Sequence, residues 1–124
     1  MKRHFGDKKI GDLKHRVLIP TVNCETGLGQ FIKTPHHVSF KFDWKWSVVD
    51  AALATSAAPT YFQIFKNQVG RFVDGALVGN APGLFGYHEA KYFLSDNDEE
   101  LNIRILCIGT ANQRFGLAGN HKLD

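Results

Sequence analysis

The sequence predicts an α/β domain, and three observations lead there. Short runs rich in β-branched and aromatic residues, at 16–22, 30–34, 70–73 and 101–108, alternate with helical stretches at 48–58 and 80–94. Glycine, proline, asparagine and aspartate punctuate the junctions between them. The 124 residues are 44% hydrophobic and 22% charged, inside the ordinary range for globular chains. A chain of this length can bury roughly two-thirds of the surface its unfolded form exposes. Residues 1–124 are therefore read as a single domain, with no internal repeat or low-complexity tract.

Arg16-Val17-Leu18-Ile19-Pro20-Thr21-Val22 predicts a strand, with Pro20 better suited to an edge or a strand end than to a central ladder. Gly27 and Gly29 mark a turn, and Gln30 to Thr34 read as a second strand pairing back as a hairpin until Pro35 breaks it. Ser47-Val48-Val49-Asp50 fits a capping box opening a helix from Val48 to Ala58, whose Ala51, Ala52, Ala54, Ala57 and Ala58 allow close approach of a neighbour. Pro59 ends it. Gly70 to Val73 form a brief strand that stops at Asp74-Gly75, a sharp turn. Asn80 can cap the next helix, with Pro82 in its first turn, Leu84, Phe85, Tyr87, Ala90 and Phe93 for packing, and an end near Leu94. After the acidic loop 96–100, Leu101 to Ile108 read as a buried strand stopping at Gly109.

Charge and composition exclude several classes. No stretch approaches the roughly 18 apolar residues of a membrane span, and nothing resembling a signal core follows Met1, so a soluble, cytoplasmic protein is expected. Cys24 and Cys107 lack a CxxC spacing and read as two reduced thiols; no metal and no cofactor are expected. The formal net charge is +3, and residues 1–16 concentrate Lys2, Arg3, Lys8, Lys9, Lys14 and Arg16 against Asp7 and Asp12. This segment could touch anionic lipid or be a solvated surface; no nucleic acid is expected, because no recognition motif accompanies the charge.

Four segments, in order, carry a resemblance: Ala54-Thr55-Ser56-Ala57-Ala58-Pro59-Thr60-Tyr61-Phe62, Phe72-Val73-Asp74-Gly75-Ala76, Asn80-Ala81-Pro82, and Ile105-Leu106-Cys107-Ile108-Gly109-Thr110. Together they resemble the second half of a patatin-like phospholipase domain, from about Arg16 to about Ala111. The resemblance implies a partial patatin-like fold, the C-terminal half of a mixed sheet flanked by helices. It also implies hydrolysis of ester bonds in membrane lipids by a Ser–Asp dyad. Asp74 would be the dyad base, with Gly75 and Ala76 completing its motif.

Read by itself, Asp74 is an ordinary turn aspartate bonded to its own backbone, and the surrounding matches turn that reading toward catalysis. The family's nucleophile stands in a Gly-x-Ser-x-Gly elbow, and Ser39, Ser47, Ser56 and Ser95 all lie outside such a motif. The glycine-rich loop that donates N–H groups to the oxyanion is not found either, and losing one such donor costs roughly 10²–10³ in rate. The expectation is an incomplete domain that supplies the aspartate to a serine from outside this chain and is inactive alone. The alternative is a non-catalytic binding or self-associating module. Expected partners are a lipid or phospholipid substrate once the domain is completed, a transient membrane-surface contact, and a homodimer.

Other tempting residues have plainer readings. His36-His37 should point to opposite faces of an extended segment and serve a structural or surface role, and His88-Glu89 lacks the His-Glu-x-x-His spacing of a zinc protease. Trp44 and Trp46 flank Lys45; alternation on a strand would put both indoles on one face, as an interfacial anchor or, more commonly, as core.

Overall fold

The computed structural model describes residues 1–94 and 102–109. A four-stranded sheet organises them, in the order β2-β1-β4-β3. β1 (Leu18–Asn23) and β2 (Leu28–Lys33) form the expected hairpin, in register from Leu18 opposite Lys33 to Asn23 opposite Leu28. Asn23 builds the connection: its side-chain oxygen accepts the Glu25 amide at 2.8 Å, its carbonyl accepts the Gly27 amide at 2.8 Å, and Gly27 takes φ +70°, where a side chain would be strained. β3 (Phe65–Lys66) and β4 (Arg71–Asp74) form a second antiparallel pair, and β4 lies against β1 with Thr21 opposite Asp74.

Pro20 therefore lies within an inner strand rather than at an edge. The missing N–H is tolerated because β4 pairs only with Thr21–Asn23, leaving Pro20 where only β2 runs beside β1. The described ladders are all antiparallel, and with the helices on the sheet they make the α/β architecture expected. The strand expected at 101–108 does not form over its described part: residues 102–109 make no ladder, and Leu106 and Ile108 are largely exposed. Strand-forming side chains make a strand only where they pair with a neighbouring edge, and residues 102–109 pair with none of the four described strands. The acidic loop 96–100 lies outside the described residues.

α1 (Lys2–Phe5) leads into a 3₁₀ turn at Ile10–Asp12, and a second 3₁₀ turn, Asp43–Lys45, precedes α2 (Val48–Thr55). Ser47 caps α2, its hydroxyl accepting the Asp50 amide at 2.9 Å. The helix stops at Thr55 rather than Ala58, because the carbonyls of Thr55 and Ala57 accept the amides of Gly75 and Asp74, and Ser56 turns its hydroxyl back onto the Ala52 carbonyl. α3 (Ala76–Gly79) and α4 (Gly83–Phe93) follow β4. Asn80 does not cap α4: it ends α3 in helical conformation, and Pro82 occupies the position before α4.

The core lies where α2 covers the sheet. Ala51 and Ala54 are wholly buried, and their small side chains let the helix seat closely over Ile10, Ile32, Trp46 and Phe72. Trp46 meets Phe72 edge-on with ring centroids 5.0 Å apart. The tryptophans part company, since Trp44 lies in a 3₁₀ turn, not a strand, that ends just before Trp46: Trp46 is buried and Trp44 is exposed. α4 meets expectation in part: Phe85 packs on Phe31 and Phe93 on Phe40, with ring centroids 4.8 and 4.9 Å apart. Leu84 and Tyr87 are exposed, and its buried residue is Glu89. Among the described residues no helix is long and apolar enough to cross a membrane.

Phe72→Ala should lower stability by about 3–5 kcal/mol, through lost burial and the cavity left beneath Trp46, with urea unfolding as the measurement. A pH dependence should arise at Asp43, whose half-buried carboxyl is pushed above its ordinary value by desolvation, against the pull of the Lys33 amide donating to Oδ2 at 3.1 Å and of the Lys33 charge. The folded state then holds this proton more tightly than the unfolded state. The contribution of Asp43 to stability is lost as pH rises from its unfolded value through its raised folded value. Asp43→Asn should flatten that part of the profile, read from urea midpoints between about pH 3 and 6.

Candidate active site

Asp74 ends β4, as expected, and the three residues before the helical turn of α3 are held from several directions. From the end of α2 and the residues just after it, the Thr55 carbonyl accepts the Gly75 amide at 3.3 Å and the Ala57 carbonyl accepts the Asp74 amide at 3.1 Å. From β1, buried Thr21 donates its hydroxyl to the Val73 carbonyl at 2.8 Å. Thr55 also donates its hydroxyl to the Pro20 carbonyl at 2.6 Å, tying α2 to β1 directly beside the turn.

Gly75 is required here by space. A Cβ built on it would collide with the Pro20 carbonyl and stand 2.9 Å from the Pro20 Cβ. The Gly75 carbonyl then starts α3, accepting the amides of Val78 and Gly79 at 3.0 Å each, and Val78 packs against Gly29, where an added Cβ would meet its methyls at 2.9 Å. The Asp74 carboxylate turns forward: Oδ1 accepts the Ala76 amide at 2.7 Å. One oxygen is thereby oriented, and the carboxylate keeps acceptor capacity on the other for a hydroxyl donor. Among the described residues no serine supplies that donor. Ser47 caps α2, Ser56 bonds the Ala52 carbonyl, and Ser39 pairs with His37 Nδ1 at 2.7 Å; Ser95 lies outside the described residues.

A second polar cluster was not foreseen. Glu89 is 7% exposed and its two oxygens are taken by Lys33 Nζ at 2.7 Å and His36 Nε2 at 3.0 Å. The other ring nitrogen of His36 meets the Thr34 hydroxyl at 2.9 Å, and Lys33 lies over the ring of Phe40 at 4.5 Å. His36 and His37 do not face opposite ways, because the backbone after Pro35 is not extended: both rings pack on Phe40. No group of three potential metal ligands occurs among the described residues. In the sequence, the signal was an isolated glutamate on a helix, indistinguishable from a solvated one until β2 was placed against α4.

A cavity of about 620 Å³ adjoins this cluster, walled in part by Arg16, Leu18, Pro82, Glu89 and Cys107. Asp74 does not line it. The four motif segments thus resolve into two pairs: 54–62 and 72–76 meet at the Asp74 turn, whereas 80–82 and 107–109 meet at the cavity.

A family model for patatin-like phospholipases matches residues 1–84. A Pseudomonas aeruginosa protein named cGAMP-activated phospholipase is 54% identical over the whole of this chain, which covers 37% of that protein. Proteins of the same name from Vibrio cholerae and Escherichia coli are 43% and 44% identical, over 90% and 91% of this chain and 33% of each of theirs. The chain therefore spans about a third of the length of these relatives.

Two substitutions test the construction. Gly75→Ala should destabilise by about 2–4 kcal/mol, because the new methyl has only backbone to displace, whereas Gly86→Ala, with open space around the Cβ position, should be neutral or stabilising. Glu89→Ala should cost about 3–5 kcal/mol by leaving Lys33 and His36 facing a void, and Glu89→Gln less, both read by urea unfolding.

Proposed function

The chain belongs to the patatin-like phospholipase family, and on that premise we propose that it supplies the aspartate of a Ser–Asp dyad that cleaves acyl esters of phospholipids. The observation that carries the reading is the Asp74 turn: a carboxylate at a strand end, with one oxygen fixed by the Ala76 amide and its backbone seated on α2 and β1. A general base must be held within reach of the proton it takes, and rigid support from three elements achieves that before substrate arrives.

In the proposed reaction a serine from outside this chain attacks the acyl carbonyl carbon while Asp74 takes the hydroxyl proton. The tetrahedral intermediate collapses, and the departing alcohol carries that proton away from Asp74. Water then attacks the acyl-serine, giving a proton to Asp74, and the serine leaves as the proton returns to its oxygen. The domain formed by this chain is completed by the nucleophile and the oxyanion donors, so the chain alone is inactive. Activation by cGAMP, the property for which the three relatives are named, is proposed for the completed protein as well. A second reading, a self-associating module, is favoured by the exposure of Leu106 and Ile108 in a segment with strand-forming side chains.

The test joins this chain to the part of the Pseudomonas relative that it does not cover. The chain alone should neither label with a fluorophosphonate probe nor cleave esters. The joined protein should do both, more strongly with cGAMP, and Asp74→Asn should lower its ester cleavage by roughly 10²–10⁴-fold. Undiminished cleavage by the Asp74→Asn protein would remove Asp74 from the chemistry. A stable dimer of the chain alone, with an inert joined protein, would support the module.

A further inference from the structure

Around the second 3₁₀ turn the chain presents large apolar side chains to solvent: Val38 is 84% exposed, Phe42 81% and Trp44 41%. This is the surface counterpart of the buried Trp46, two residues further on. The Trp44 indole is not loose. Its Nε1 donates to the Lys41 carbonyl at 3.0 Å, Lys45 Nζ stands 5.3 Å over its ring, and its back lies against Gly11, where an added Cβ would be 3.1 Å from the Trp44 Cβ.

The basic start of the chain is bound to the same place. Lys9 bridges Ser47, the Ile10 amide donates to the Trp46 carbonyl at 2.9 Å, and the Val48 amide donates to the Lys8 carbonyl at 2.9 Å. Tertiary structure thus joins two basic segments that are far apart in sequence: Lys8, Lys9 and Lys14 from one, Lys41 and Lys45 from the other, all exposed. The neighbouring acids do not cancel them evenly. Asp12 caps the Lys9 amide at 2.9 Å, and half-buried Asp43 accepts the Lys33 amide, while Asp7 stands exposed.

We infer that this surface docks the protein on an anionic lipid bilayer. Phe42 and Trp44 enter the interface at headgroup depth, where an amphipathic indole is favourable, and the lysines around them lie against lipid phosphates. Exposed aromatic rings on a 3₁₀ turn, beside exposed lysines from two segments, fit a lipid interface better than single-stranded nucleic acid, which is held by successive aromatic rings along a basic groove. No residue of the Asp74 turn takes part, so docking can be measured independently of hydrolysis.

The experiment is co-sedimentation of the chain with vesicles of phosphatidylglycerol and phosphatidylcholine mixed, or of phosphatidylcholine alone, with tryptophan emission followed in parallel. Binding should require phosphatidylglycerol, weaken with salt, and fall roughly fivefold for each of Lys41→Gln and Lys45→Gln. Trp44→Phe should remove the blue shift on binding while leaving the emission of buried Trp46, whose preserved signal also certifies folding. Phe42→Ser, at a position already in solvent, should weaken binding without loss of stability. Absence of binding, equal binding to both vesicle types, unchanged binding by the lysine variants, or retention of a single-stranded oligonucleotide in place of vesicles would each overturn the inference.

Discussion

The backbone of Gly75 lies against the carbonyl of Pro20 so closely that no side chain fits between them. Much of the described architecture follows from that contact. It sets how near the end of β4 approaches β1, and it aims the chain into α3. The Pro20 carbonyl is not left unsatisfied by losing a ladder partner there, since the Thr55 hydroxyl reaches it from α2. One oxygen thus joins the helix end to the inner strand directly beside the turn that it shapes.

Polar satisfaction and apolar packing act together around this point. α2 approaches the sheet because alanines face it, and at its end the carbonyls of Thr55 and Ala57 become acceptors for the amides of Gly75 and Asp74 instead of continuing the helix. The early end of α2 is therefore the means by which the aspartate is held. At the other side of the hairpin, Glu89 performs a similar service: Lys33 of β2 and His36 of the following loop reach its two oxygens, so that α4 is held by a buried polar cluster as well as by Phe85 and Phe93 packed on Phe31 and Phe40. Such a cluster is strongly position-dependent, since removing one partner leaves the others desolvated without compensation.

Membership of the patatin-like phospholipase family gives this construction its meaning. The Asp74 turn and the alanine-rich helix end, which are separate motifs along the chain, form one structural unit. Asn80 to Pro82 and Cys107 to Gly109 form another, around a cavity that Asp74 does not line. The chain spans about a third of the length of its relatives, and within that span both units are built from segments far apart in sequence.

The local features were legible from the residues themselves: the hairpin turn at Gly27, the Ser47 cap, the strand ending at Asp74, and the end of α4 near Leu94 all rest on backbone chemistry within a few residues. What depended on distant partners was not. Pro20 is tolerated in an inner strand because β4 stops short of it, Ile103 to Ile108 pair with none of the four described strands, and Trp44 and Trp46 separate because Trp44 lies in a 3₁₀ turn that ends just before Trp46. Glu89 reads as a solvated helix position until Lys33 and His36 arrive from 56 and 53 residues away. Hydrogen-bonding and steric rules operate over a few ångströms, so the sequence determined those features whose partners are near neighbours along the chain. Which distant groups come within that range is decided by packing, and only the tertiary structure supplied it.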